Sequence, residues 1–242
     1  MRAPAVGRPP ASSIATRRPP TAALIQYPPP FSGPRGVAAD SSFTTWRLPV
    51  VIAYHSTFSA YGFWLPNDPR GSWSNYVRSW DLYNAAGHAT ACGTRQSVAA
   101  AIHDHSARQR AKESLANATV KFSMAQIAAI GRGFAAACNE TAYRILACAI
   151  MPDHVHLVIL RHAKPIEQVI RHLRSRGTKQ LSAENLRPAE IVWARGGWNV
   201  FLNTAADVAR SIQYVNDNPV RAGRPRQHWP FITPWNPAPP PV

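Results

Sequence analysis

Two places in this 242-residue chain combine residue types that can do chemistry at a spacing that lets them act together. The first is His154-Val155-His156. Side chains alternate faces along a strand, so in a strand both histidines project from one side and Val155 from the other. Two imidazoles about 7 Å apart along a strand can share one metal ion. Taken alone, an H-x-H triplet is more often a pair of surface histidines. His103-Asp104-His105 repeats the pattern, but it follows Val98-Ala99-Ala100-Ala101-Ile102, which reads as helix. On a helix, i and i+2 diverge by about 200°, so that pair is expected to face solvent and not to chelate. The second place is Tyr214 with Asn218, four residues apart and therefore on one helical face. The apolar stripe there is Val208, Ile212 and Val215, and Tyr214 lies at least about 100° from each. It is not an evident core tyrosine, although a boundary tyrosine with a wetted hydroxyl is the commoner case.

The elements that must position these residues are legible in outline. Val50 to Phe58 is rich in β-branched and aromatic residues and reads as a strand. Leu65 to Ser72 is dense in turn residues. Residues 73–120 are expected to hold one helix, around Val98 to Leu115. Ile127, Ile130, Phe134 and Cys138 recur at helical spacing within Met124 to Cys138. Tyr143 to Met151 is a buried strand by its continuous apolar run. Pro152-Asp153 turns the chain into a second strand, His154 to Leu160. Pro165 suits the first turn of a helix whose stripe is Ile166, Val169, Ile170 and Leu173. Ile191–Trp193 and Trp198–Leu202 flank Gly196-Gly197 and are expected to form a hairpin. Thr204, with Asp207 three residues on, starts a last helix, which Asn218-Pro219 should stop near Asn216. This order predicts an α+β sandwich with an antiparallel sheet, close to the ferredoxin-like split βαβ pattern.

Composition narrows the function. Charged residues are only 16%, yet 27 Lys+Arg face 12 Asp+Glu, a formal net charge of +15. Such a surface is suited to a polyanion, nucleic acid before an anionic membrane. No stretch approaches the roughly 18 apolar residues of a membrane span, so no membrane partner is expected. Three cysteines without a C-x-x-C pair argue against a disulfide scaffold or a zinc knuckle, and a reducing cytoplasm fits them best. Residues 1–45 hold repeated prolines, five arginines and no acid before Asp40, and read as a disordered basic tail. Residues 237–242 read as a frayed Pro-rich end, which leaves 46–236 as the folded domain.

Ala149-Ile150-Met151-Pro152-Asp153-His154-Val155-His156-Leu157-Val158, followed by Tyr214-Val215-Asn216-Asp217-Asn218-Pro219-Val220-Arg221-Ala222-Gly223, closely resembles the single-tyrosine HUH transposases. Within them the pattern is most similar to the REP-associated tyrosine transposases and the IS200-like insertion-sequence transposases. The resemblance runs from about Val50 to Trp235, and its two motifs are specific as a pair. It implies that His154 and His156 bind a divalent metal, that Asn218 adds an amide ligand, and that Tyr214 is the nucleophile. Two neutral histidines and one amide oxygen would suit Mn²⁺, or Mg²⁺ when phosphate supplies further oxygens, and zinc is compatible on ligands alone. The stretch at about 66–120 is longer than a minimal domain of this kind needs and reads as an insertion.

The reaction so implied is cleavage and transfer of single-stranded or hairpin DNA through a 5′-phosphotyrosine and a free 3′-hydroxyl. A bound cation would offset the phosphodiester charge that repels nucleophiles. The covalent link would conserve the bond energy for rejoining. Phosphate contacts are expected from Arg171, Arg174, Arg176 and Lys179, and from Arg221, Arg224 and Arg226, near which the sequence places few carboxylates. Trp193, Trp198 and Trp229 could stack on unpaired bases, though packing is the expected role of the first two. His228-Trp229-Pro230-Phe231 and Trp235 read as a strap returning to the body. Relatives of this kind include both monomers and dimers that share active sites, so a homodimer is one expectation. Two other functions fit less well: a DNA-binding descendant without cleavage, and a metal-dependent hydrolase that activates water and needs no tyrosine.

Overall fold

The computed structural model describes residues 50–72, 74–92, 98 and 101–236. The expectations for residues 1–45 and 237–242 fall outside them. The first strand, β1, is Ala53–Ser59. Two short helices follow, α1 (Trp80–Ala86) and α2 (His105–Glu113), then α3 (Met124–Thr141). Next come β2 (Ile145–Ile150), β3 (His154–Leu160) and α4 (Ile166–Ala183). The last two elements are β4 (Trp198–Leu202) and α5 (Ala205–Arg221). The four strands form one antiparallel sheet in the order β2-β3-β1-β4, the order of a split βαβ sandwich.

The two sheet faces have different fillings, as strand alternation requires. One face presents Phe58, Val155, Leu157, Ile159, Cys148 and Ile150 to α3 and α4, whose Ile127, Ile130, Phe134, Val169, Leu173 and Leu181 complete the larger core. The other presents Ala53, Ala147, Ala149, Val158 and Leu202 to Val208 and Val215 of α5. Helix α3 starts at a full capping box: the Ser123 hydroxyl accepts from Gln126 N–H, and the Gln126 side chain accepts from Ser123 N–H. Helices α3 and α4 cross closely enough that a Cβ on Gly133 would sit 2.6 Å from the Arg176 carbonyl oxygen.

Four expectations need correction. The segments Ile191–Trp193 and Trp198–Leu202 do not pair with each other. Both run antiparallel to β1, Trp193 opposite Ala60 and Trp198 opposite Thr57, with a bulge between. Gly196, at φ +75°, gives that bulge its left-handed residue, and the Arg174 guanidinium donates to the Ala194 and Gly196 carbonyls to hold it. Helix α5 does not end at Asn216 but runs through Pro219 to Arg221. A proline so near the helix end forfeits one hydrogen bond, and Ala222 N–H closes the last turn on the Asn218 and Pro219 carbonyls. Gly223, at φ +69°, then ends it. The helix expected from Val98 begins only at His105, where Asp104 caps it by accepting from Ala107 N–H. His103 therefore lies outside the helix, and its ring comes within 4.2 Å of that of His105. The 73–120 stretch also holds a second helix, α1.

The C-terminal strap is present as expected. Trp229 donates its indole N–H to the Cys148 carbonyl, and Gln227 exchanges hydrogen bonds with both backbone groups of Ile150. Cys92, Cys138 and Cys148 are free thiols. Among the described residues, no helix is long and apolar enough to cross a membrane. The α3–α4 crossing leaves no room for a Cβ at Gly133. Gly133→Ala is expected to force these helices apart at a cost of roughly 1–3 kcal/mol. A thermal unfolding midpoint unchanged by that substitution would show that the joint has slack.

Candidate functional site

The site lies on the α5 face of the sheet. Thr57 of β1 stands opposite His156 of β3, and Ser59 opposite His154, so His55, Thr57, His154 and His156 all project from that face. Val155 points into the other core and is fully buried. His154 and His156 are edge to face, ring centroids 4.8 Å apart. Across from them α5 lowers Tyr214, whose ring lies 5.4 Å from His156 and 5.6 Å from His55. Asn218 lies one turn along the helix, and its side chain acts on the Tyr214 phenol to lower its pKa. The continuation of α5 through Pro219 is what keeps Asn218 in that register.

Each site histidine is anchored at one nitrogen. His156 Nδ1 meets Thr57 Oγ1 at 2.9 Å and His55 Nε2 at 3.3 Å. His154 Nδ1 is 2.7 Å from Asp153 Oδ1, and its ring stacks on Phe63 at 5.2 Å. A metal-binding histidine characteristically donates its far N–H to a carboxylate or other acceptor, which fixes ring and tautomer. Both rings here are held in that manner, leaving Nε2 of each as the available ligand. The donor set therefore fits a divalent cation completed by an amide and by substrate oxygens. Among the described residues, no three His, Cys, Asp or Glu side chains enclose an ion, so a two-histidine site needs those further donors. The same holds for His103 and His105, which gain no third ligand.

The electrostatics keep the site neutral. Burial pulls His55 down to about 4. His156 falls well below its ordinary value, through burial first and then the nearby charges of His154 and His55. Burial raises the Tyr214 phenol, and the charge of Arg221 and the Asn218 hydrogen bond only partly oppose it. The Arg221 guanidinium lies 5.6 Å from the Tyr214 ring centroid. Asp153 is held below the usual carboxylate range: burial acts against this, but the hydrogen bond and charge of His154 and the charge of Lys121 outweigh it. At neutral pH the structure thus holds His55 and His156 uncharged and the phenol protonated.

The expected cationic residues divide. Arg221 stands at the site. Arg224 and Arg226 follow the same helix end, with Arg226 paired to Asp217 at 2.7 Å. Arg171 and Lys179 are exposed on α4, in the layer across the sheet from Tyr214. Arg174 turns inward over the Phe58 ring and braces the bulge, and burial draws it down to about 10. Arg176 pairs with Glu140 at 2.9 Å. Carboxylates are therefore closer to these clusters than the sequence indicated. Trp193 is packed, its indole donating to Thr178 and to the Arg174 carbonyl. Sequence reasoning missed His55, Thr57 and Phe63. The alternation Ala53-Tyr54-His55-Ser56-Thr57 sets His55 and Thr57 on one face, but only the non-local pairing of β1 with β3 brings them under His156.

His55 and His156 make stability depend on pH with a definite sign. Their folded pKa values lie below the roughly 6.5 of the unfolded chain, so stability is full above about 6.5. As pH falls from there toward 4, the unfolded chain takes up protons that the folded one refuses, and stability is lost. Thermal midpoints measured between pH 7.5 and 4.5 should fall, and His55→Gln should flatten that fall. Parallel curves for the two proteins would remove His55 from this role.

The chain is similar to known proteins over part of its length. Residues 108–218 match the family model described as IS200-like transposase. A REP-associated tyrosine transposase of Haemophilus influenzae is 27% identical over 107 residues, 39% of this chain and 60% of the relative. The chain thus spans about three fifths of the curated relative it matches. Two solved structures align more loosely. One is a REP-associated tyrosine transposase bound to a REP hairpin, with 13% identity and a TM-score of 0.41 over 76% of this chain and 78% of that one. The other is a transposase of Deinococcus radiodurans, with 12% identity and a TM-score of 0.30 over 74% of this chain and 97% of that one. The matched segment contains His154, His156, Tyr214 and Asn218, and over it the chain is similar to the IS200-like transposases.

Proposed function

We propose that this protein is a metal-dependent endonuclease and strand transferase acting on single-stranded or hairpin DNA. The observation that carries the reading is the meeting, on one sheet face, of two back-anchored histidines with a tyrosine and an amide from α5. A divalent cation held by His154, His156 and Asn218 would offset the charge of the scissile phosphate. The chain's own residues do the rest. Thr57, His55 and Asp153 hold the two imidazoles with their Nε2 atoms available. An Asn218 amide that donates to the phenol leaves its oxygen for the cation, so one side chain serves both partners. Arg221, over the tyrosine ring, favours the phenolate that must form.

Tyr214 Oη then attacks phosphorus as its proton departs. A tyrosine–phosphorus bond forms, the bond from phosphorus to the 3′-oxygen breaks, and that oxygen leaves as a hydroxyl after taking up a proton. The product is a 5′-phosphotyrosine, which a 3′-hydroxyl can later attack to rejoin strands without ATP. Tyr214 and both histidines meet within one chain, so no second subunit is required to complete the site.

The test is a denaturing gel of labelled hairpin DNA with Mn²⁺ or Mg²⁺, comparing wild type, Tyr214→Phe and His156→Ala. Wild type should give a protein-linked band, and either substitution should abolish it. A mixture of the two variants should stay inactive. An adduct in that mixture would mean that the site is shared between subunits. Cleavage persisting in Tyr214→Phe would make water the nucleophile and overturn the reading. Binding without cleavage under both metals would leave a DNA-binding protein.

A further inference from the structure

We infer that the long connection between β1 and α3 is a second single-stranded DNA surface, in which α2 takes backbone phosphates and α1 stacks an unpaired base. The inference rests on the DNA-processing function proposed above and extends it to residues that function does not use. Two observations carry it.

The first is a group of cations beside the site: Arg108, Arg110 and Lys112 on α2, with Asp104 at its cap and Glu113 at its end. Asp68 is buried and accepts from Arg70 through Nε and Nη2, both at 2.8 Å, and from Arg108 Nε at 3.3 Å. One carboxylate thus faces two guanidiniums. Lys112 adds a third cation to the group: it is repelled by Arg108 and Arg70 and attracted by both Asp68 and Asp153. Arg110 is exposed on the same helix. His105, Arg108, Gln109, Arg110 and Lys112 share one open stretch of the α2 surface. A helix surface bearing Arg108, Arg110 and Lys112 is suited to phosphate. It also adjoins the candidate site. Asp153, whose charge reaches Lys112, anchors His154. Phe63 stacks on His154, and Arg70 lies over the rings of Phe63 and Trp64.

The second observation is an aromatic platform on the helix packed against α2. Leu82 of α1 and Ala111 of α2 share a small core with Leu65. Trp80 points elsewhere and is 72% exposed, its ring stacked on Tyr83 at 5.5 Å and 11°. Tyr76, just before the helix, is 57% exposed. Exposed, pre-stacked rings beside a cationic helix surface are what single-stranded nucleic acid uses: phosphates track the charge while bases stack without regard to sequence.

The test is fluorescence anisotropy with the full chain, using labelled mixed-sequence single-stranded DNA and a blunt duplex, from 50 to 200 mM NaCl. The paired substitutions Arg110→Gln and Lys112→Gln should weaken single-strand binding. They should also lower the slope of log affinity against log salt by about 0.7 for each phosphate no longer neutralised. Trp80→Ala should weaken single-strand binding roughly five- to a hundredfold with the slope unchanged, and leave duplex binding as it was. Matching circular dichroism spectra keep a folding defect from mimicking either result. Wild-type affinity and slope in both variants would overturn the inference while leaving the site intact. Failure of wild type to bind DNA at all would overturn the proposed DNA-processing function, and this inference with it.

Discussion

The site depends on how α5 lies across one face of the sheet. That face is apolar at β2 and polar between β1 and β3. Ala147, Ala149 and Val158 are small enough for Val208 and Val215 to seat the helix closely. Where the apolar residues end, the sheet carries His55, Thr57 and His156, and there the helix presents Tyr214. Buried polar groups must find partners. His154 and His156 find them in Asp153, Thr57 and His55, while His55 Nδ1 is left without one. The demands of burial and the demands of a ligand site coincide here: the same hydrogen bonds that satisfy Nδ1 of His154 and His156 fix the direction of Nε2.

The family match and the support from Thr57 and His55 come from different parts of the chain. Residues 108–218 contribute most of α2, all of α3, β2, β3, α4 and β4, and most of α5, and with them His154, His156, Tyr214 and Asn218. The strand beneath His156 is β1, which lies before that segment and pairs with both β3 and β4. The matched segment thus supplies the candidate site side chains, and β1 closes the sheet behind them. The connection after β1 adds Phe63 against His154.

Much of this was legible because the signals are local. Alternation along His154-Val155-His156 placed both imidazoles on one face, and four-residue spacing placed Asn218 under Tyr214. The sheet order followed from the sequence of strands and helices. What was not legible depends on pairing across the chain. His55 is one histidine in a mixed strand until β3 lies beside it. Arg174 has the surface spacing of a phosphate contact, yet the bulge at Gly196 offers it two carbonyls and the Phe58 ring, and it turns inward. Pro219 reads as a stop signal. Near a helix end, however, the missing N–H costs only one bond, and the following turn closes over it.

The proposed chemistry requires His154 and His156 to present Nε2 together to one cation beside Tyr214. The most direct measurement is pulsed electron paramagnetic resonance of Mn²⁺ bound to the protein, reading the couplings to ligand nitrogen. Coupling to two imidazole nitrogens is predicted in wild type and in Tyr214→Phe, and to one after His156→Ala. Mn²⁺ bound without nitrogen coupling, or a coupling unmoved by His156→Ala, would contradict it.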